Sequence, residues 1–400
     1  MFLLKPKIEP ALKEAINNKY YKKIRVIVKY KSKLNMKTIE KKIKVCSGSI
    51  IYSLPLINCI VSRISPEGIK RLLEYPQIEY ICYDSSAVLC GNGVLSSNGI
   101  SSNYNFSLTG KNICIGLIDS GTYPHSDLLT PKNKIARFLD TINNYKYPYD
   151  DNGHGTFISG ILCGSGSLSK GMYRGVAPDA TIYSVKAFNN AGTGLISDIL
   201  FAISTLINEA EDYGIRVLCL PFETKYHSPF IESLFLKLFA KASDDGIIVV
   251  VPAGHNGDEE SSIMGIATLE HCITVAGVDT TPGKASIFKI SSRGPFGKAE
   301  KPDLAAAAVN ISSLNSDKNF IPERNSIKLY PKGLDNPYIT CNGTSCAAAF
   351  VSGLCALLLE NNPKLTFNDV LSLLKVSCTI QNLSKWSQGA GIVELNKLLP

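Results

Sequence analysis

Residues Asn342-Gly343-Thr344-Ser345-Cys346-Ala347-Ala348-Ala349-Phe350-Val351-Ser352-Gly353 carry no charge and run straight into the apolar stretch 354–359. A helix that is apolar on all sides has to be buried, so this stretch demands a surrounding core. The Gly343-Thr344 turn starts that helix and puts Ser345 in its first turn. Unpaired backbone N–H groups and the positive end of the helix dipole gather there, which is where donors facing a developing oxyanion would be wanted. An N-capping serine on a core helix has the same appearance. Alone, the stretch leaves both readings open.

Two further stretches bear on the choice. Ile113-Cys114-Ile115-Gly116-Leu117-Ile118-Asp119-Ser120-Gly121 is a continuous apolar run ending in a carboxylate and a turn. Buried parallel strands have this form, and ligands collect at their carboxyl ends. In Asp151-Asn152-Gly153-His154-Gly155-Thr156-Phe157-Ile158-Ser159-Gly160 a histidine stands at a glycine-flanked helix start, where backbone can approach a partner closely. Separately, the Asp reads as a cap and the His as a structural residue. Together, in the order Asp119, His154, Ser345, they resemble the subtilisin-like serine proteases, whose chain order is one of three in which this set is known.

The resemblance covers roughly residues 110 to 398. It takes in Gly175-Val176-Ala177-Pro178, Ser291-Ser292-Arg293-Gly294-Pro295, Lys301-Pro302-Asp303-Leu304 and Gln388-Gly389-Ala390-Gly391. It implies an α/β fold with a parallel sheet and helices on both faces, which the alternating strands and helices also favour. Asp119, His154 and Ser345 are then the catalytic residues of a serine endopeptidase, acting through an acyl-enzyme. Gly192, Thr193 and Gly194 match the family's glycine-rich substrate strand. The opposite substrate strand, normally a small Ser-Leu-Gly run, is here Cys219-Leu220-Pro221-Phe222-Glu223. Phe222 and Glu223 are expected at the substrate, and the Glu223 carboxylate at the mouth of the specificity pocket, favouring basic side chains.

The family's oxyanion asparagine follows an Ala-Gly pair. Here Ala253-Gly254 is followed by His255, with Asn256 one residue later. Asn256 is the preferred donor beside the Ser345 N–H, because an amide donates at any pH whereas an imidazole must hold the right tautomer; His255 is the alternative. Cys346 replaces the family's methionine and Ala349 its proline. Cys346 is a rival nucleophile on paper, with no second histidine motif to pair with it. No cofactor is required by the resemblance; calcium sites are common in the family, but no Asp/Asn-rich loop has the spacing of a hard-cation cage. An inactive subtilisin-like protein that binds peptides or partner proteins is the alternative function, kept open by the altered oxyanion position and the Pro221-Phe222-Glu223 strand.

Charge separates the two ends of the chain. Residues 1 to 84 hold 17 Lys and Arg against 7 Asp and Glu, and residues 85 to 400 hold 25 against 27. The overall charge of +8 is therefore a property of the N-terminal segment, not of a nucleic-acid or membrane face on the rest. That segment reads as strand 23–30, helix 37–44, hairpin strands 49–54 and 57–64, helix 66–75 and strand 78–83, a ferredoxin-like β-α-β-β-α-β order. Standing before a subtilisin-like domain it resembles the family's propeptide, an intramolecular chaperone and inhibitor. Residues 1–90 form this prodomain, 91–109 a Gly/Ser/Asn-rich linker, and 110–400 the peptidase domain. In this reading 84–91 lies through the active-site cleft and self-cleavage falls between Tyr83 and Leu95. An RNA-binding module is the bland alternative, opposed by the lack of an aromatic RNP-type strand. The expected partners are thus a peptide or protein substrate and the chain's own prodomain, with no nucleic acid and no membrane. The twelve cysteines lie mostly inside apolar elements, and the N-terminus lacks an apolar signal core. Reduced, buried thiols in a cytoplasmic protein are expected, with leaderless export left open.

Overall fold

A computed structural model describes residues 7–17, 22–89, 98, 108–224, 227–257, 259–281, 283–295, 297 and 300–398. Most of the expected linker, 91–109, and the stretch 90–95 of the expected processing window lie outside the described residues. The chain forms two units, Met1–Ser86 with Leu195–Ser204, and Ala87–Gly194 with Thr205–Pro400.

In the first unit, β1 (Ile24–Tyr30), β2 (Ser49–Leu54), β3 (Cys59–Ile64) and β4 (Ile78–Tyr83) form an antiparallel sheet in the order β2-β3-β1-β4. Helices Met36–Val45 and Pro66–Leu73 stand where the sequence places them. The second begins at Pro66, with the Ser65 side chain accepting from the Gly68 N–H at 3.1 Å. A further helix, Pro10–Asn17, is added to the sequence reading. One cluster joins Leu12 and Ile16, Ile39 and Ile43, and Ile69 and Leu72 to Val26, Val28, Ile60, Ile64 and Ile81 of the sheet. Each such buried aliphatic side chain stabilises by roughly 1.5–3 kcal/mol relative to exposure.

Alternation along β1 turns Arg25 to the opposite face. Its Nε lies 2.7 Å from Asp84 Oδ2, and its guanidinium also bonds Asp198 and Ser197. Asp84 accepts from the Ser197 N–H at 2.7 Å and from the Ser197 hydroxyl. Its carboxylate therefore caps the first turn of helix Ile196–Asn208, where negative charge is favoured. The Tyr52 ring stacks on Phe201 of the same helix with centroids 4.1 Å apart. Burial nonetheless outweighs these favourable contacts and pushes the Asp84 carboxyl up to about 6. An acid whose pKa is raised on folding holds its proton better in the folded state. Its contribution is therefore full at low pH and is lost as pH rises through about 6.

The second unit is built on β5 (Ser86–Leu89), β6 (Cys114–Asp119), β7 (Ile135–Asp140), β8 (Thr181–Lys186), β9 (Thr193–Leu195), β10 (Ile215–Cys219), β11 (Phe222–Thr224), β12 (Ile248–Pro252) and β13 (Ile273–Asp279). Its main sheet runs β7-β8-β6-β10-β12-β13 and on to Leu304–Ala307, all parallel. β7 lies in the polar, Tyr- and Asn-rich stretch between the Asp119 strand and Asp150. It is an edge strand with Ala136 and Arg137 exposed, so it lacks the continuous apolar run of its neighbours.

Helices His154–Cys163 and Thr344–Asn361 bury Phe157, Ile161, Phe350 and Leu354 against Leu117, Cys219 and Val250 of the sheet. The second helix is 18 residues long and by length and composition could cross a membrane. It is 89% buried within the protein, so its apolarity belongs to the core. On the sheet's other side Gly116 approaches Leu206 of helix Ile196–Asn208, and helix Pro229–Asp244 packs on β12.

Because Asp84 is held protonated more readily folded than unfolded, we expect wild type to lose stability relative to Asp84→Asn as pH rises from about 4 to about 7. Denaturant unfolding of both proteins across that range measures it, and a wild type that gains relative to the variant would contradict burial as the dominant effect.

Candidate active site

The parallel strands β6 and β12 deliver Asp119 and the 253–257 turn to the same edge of the sheet, their carboxyl ends. Asp119 is fully buried, and its Oδ1 accepts from the Ser120 N–H at 2.6 Å. His154 opens its helix so that Nδ1 lies 2.8 Å from Asp119 Oδ2 and 2.9 Å from Oδ1. A carboxylate only accepts, so Nδ1 carries the proton and Nε2 is left with a lone pair. That nitrogen is 3.1 Å from Ser345 Oγ, in the first turn of helix Thr344–Asn361. Ser345 is itself buried, and Cys346 Sγ lies 3.8 Å from its oxygen.

This juxtaposition relies on Gly155. A Cβ there would fall 2.0 Å from the Gly121 carbonyl oxygen and 3.1 Å from Asp119 Oδ1, so any larger residue would push the helix start off the carboxylate. Asp150, which the sequence reading passed over, fastens the same segment. Its Oδ1 accepts from the Ser120 hydroxyl and the Asn152 and Gly153 N–H groups, and its Oδ2 from the Thr156 N–H and hydroxyl. An Asp four residues ahead of a helix start was the available signal. Lys186, also missed, is fully buried, with Nζ 2.6 Å from the Ser120 carbonyl, 3.0 Å from that of Phe188 and 2.5 Å from Asp151 Oδ1. A buried ammonium needs such partners to offset its lost hydration.

The expected substrate residues are divided in their roles. Thr193 and Gly194 form β9, and Gly192 closes the turn before it through its N–H to the Asn189 carbonyl at 2.9 Å. Phe222 and Glu223 lie in β11. Between β9 and β11 runs β5, with Phe222 opposite Leu89, Glu223 opposite Val88 and Thr224 opposite Ala87, antiparallel. The Phe222 side chain is buried, its ring 5.2 Å from that of Phe188, so this residue meets β5 through its backbone. Ala253 continues the β12 ladder through its N–H to the Val275 carbonyl.

The Glu223 carboxylate has contacts the sequence does not reveal. Its Oε2 accepts from the His255 N–H at 2.9 Å and from Asn256 Nδ2 at 3.3 Å. Its Oε2 is thus engaged in holding the 255–256 turn. Gly254, at φ +104°, makes room for this, since a Cβ would meet Glu223 Oε2 at 2.5 Å. The Gly254 carbonyl in turn accepts from Thr344 Oγ1 at 3.4 Å, which sets the turn against the residue preceding Ser345. His255 interacts electrostatically with His154, and burial with that neighbour lowers its pKa to about 4. Among the described residues no group of three or more His, Cys, Asp or Glu is placed to hold a metal ion.

A model of the Subtilase family matches residues 110–391. Serine protease AprX of Bacillus subtilis (strain 168) is 33% identical over 364 residues, covering 86% of this chain and 79% of its own length. Minor extracellular protease Epr of the same organism is 26% identical over 357 residues, covering 84% of this chain and 48% of its own. The crystal structure of fervidolysin from Fervidobacterium pennivorans superposes with a TM-score of 0.71 at 20% identity, over 95% of this chain and 62% of that one, a likeness of fold. A relative named as extracellular overturns the expected cytoplasmic location. The cysteine argument fails for a physical reason: the described cysteines are free and mostly buried, and burial pushes the Cys163 and Cys219 thiols up to about 12, so they are inert in any compartment. With a family model spanning the large unit and a relative one-third identical along most of the chain, the protein belongs to the subtilase family and is a subtilisin-like serine peptidase.

Proposed function

We propose that the chain is an endopeptidase working by acyl transfer at Ser345, and that it cuts itself beyond β5. The observation that carries the chemistry is the single imidazole of His154 lying 2.8 Å from Asp119 and 3.1 Å from Ser345 Oγ. Ser345 Oγ attacks the peptide carbonyl carbon as Nε2 takes its proton. The carbonyl π pair moves onto oxygen, where the N–H at the start of the Ser345 helix and a donor from the 255–256 turn receive it. Collapse expels the amine, which takes the proton from Nε2, and water repeats the sequence on the ester. Asp119 keeps Nδ1 protonated and balances the imidazolium. Nucleophile, base and donors all come from the chain, so this reaction needs no cofactor.

Self-cutting is supported by β5, which lies between β9 and β11 as a bound peptide would in strand addition. Residues 1–89 would then be prodomain and first ligand, and the cut bond would fall after Leu89 and no later than Leu95.

Two outcomes follow. A fluorophosphonate probe should label wild type and fail on Ser345→Ala, while His154→Ala and Asp119→Asn should lower peptide turnover by about 10⁴–10⁶, the range known from subtilisin. Labelling without turnover, or turnover surviving Ser345→Ala, would remove the acyl-transfer reading. Intact mass and N-terminal sequencing should find a new terminus within 90–95 in wild type, with Ser345→Ala remaining full length. A wild type that cuts peptides while keeping residues 1–89 covalently attached would sink the self-processing part.

A further inference from the structure

We infer that the imidazole of His255, whose backbone N–H is held by Glu223, is the side-chain donor to the tetrahedral oxyanion at Ser345, and that Asn256 is not. The inference rests on the acyl-transfer reading above. It begins with placement. Thr344 Oγ1 bonds the Gly254 carbonyl, so the residue after Gly254 sits beside the residue after Thr344. That pair is His255 and Ser345. His255 is also near enough to His154 for their charges to interact.

Asn256 is committed elsewhere. Its N–H donates to Ser292 Oγ at 2.8 Å, its side-chain amide donates to Glu223 Oε2, and the residue is exposed. Turning that amide towards Ser345 would break its bond to a carboxylate, and hydrogen bonds to charged groups are worth roughly 1.5–3 kcal/mol.

The tautomer objection to a histidine donor is answered by its surroundings. Nδ1 of His255 is buried and has no hydrogen-bond partner among the described residues. Orphaned buried N–H groups are rarer than under-satisfied acceptors, so the lone pair belongs on Nδ1 and the proton on Nε2. Burial beside His154 also keeps the ring neutral above a pH of about 4, so no second cation competes with the imidazolium formed in catalysis. In the reaction His255 donates a hydrogen bond and loses no proton: Oγ bonds to the carbonyl carbon, the π pair becomes the oxyanion, and Nε2–H and the Ser345 N–H receive it. Glu223 acts as a positioning residue through the His255 N–H.

The test is steady-state kinetics on the processed protein, with the affinity of a peptide boronic acid as the tetrahedral probe. His255→Ala should lower kcat by roughly 10²–10³, as loss of one such donor does in subtilisin, move KM by only a few-fold, and weaken the boronate in proportion to kcat. His255→Asn, which replaces the ring by another neutral N–H donor, should recover at least tenfold of that loss; this keeps the test decisive if the alanine variant is poorly folded. Asn256→Ala should cost at least tenfold less than His255→Ala. Glu223→Ala should lower kcat more than it raises KM, with Glu223→Gln recovering activity because its carbonyl oxygen still accepts from the His255 N–H. A His255→Ala kcat within threefold of wild type, or an Asn256→Ala loss exceeding it, would overturn the assignment while leaving acyl transfer standing. A wild type that neither turns over peptides nor binds the boronate would remove both.

Discussion

One contact governs the rest of the site: the Asp119 carboxylate on Nδ1 of His154. A neutral imidazole has one proton to distribute between two nitrogens, and a buried acceptor-only partner decides where it goes. Everything that secures the pair can be seen as maintaining that decision. The strand end supplies the carboxylate, Gly155 lets the helix start come close, Asp150 pins the segment through five hydrogen bonds, and Lys186 fastens the turn after the carboxylate by its carbonyl at Ser120. A shift in any of these supporting groups would move the imidazole relative to Ser345.

Much of this was legible before any coordinates. Asp119, His154 and Ser345 stand out because each sits where an element type changes, from apolar strand to turn or from glycine turn to helix, and such boundaries are where side chains reach a sheet edge. The ferredoxin-like order of the first unit was legible for a similar reason: its strands alternate, and its helices open with recognisable residues such as Ser65-Pro66. β7 was hidden because an edge strand needs only half of its face to be apolar. Lys186 was hidden because it ends an alternating strand, where a lysine reads as solvent-exposed; only the converging oxygens of Ser120, Asp151 and Phe188 explain its burial. The bond from Glu223 to the 255–256 turn was hidden for a third reason. The sequence places a residue on a strand but does not say which way a long side chain turns, and this one turns back to a backbone N–H.

The departures from the family's pattern are connected. Glu223 stands where a small residue is usual and His255 where an asparagine is usual, and the two residues are bonded to each other. Gly254, left without a side chain, is what allows the carboxylate to pass. Substituting Glu223 alone would leave the His255 N–H without its acceptor, and a side chain at Gly254 would clash with the carboxylate, whereas the N–H at position 255 belongs to the backbone and survives any replacement but proline.

Under the proposal that β5 is the first ligand of the groove, its position in the middle of its three-stranded sheet has a kinetic meaning. A strand delivered by its own chain competes as an intramolecular ligand, at an effective concentration of order millimolar for a short tether. That figure does not change when the protein is diluted. On that proposal a visiting peptide would have to outbid a rival whose local abundance is set by covalent geometry, and for as long as the tether is intact, lowering the protein concentration would do nothing to open the groove.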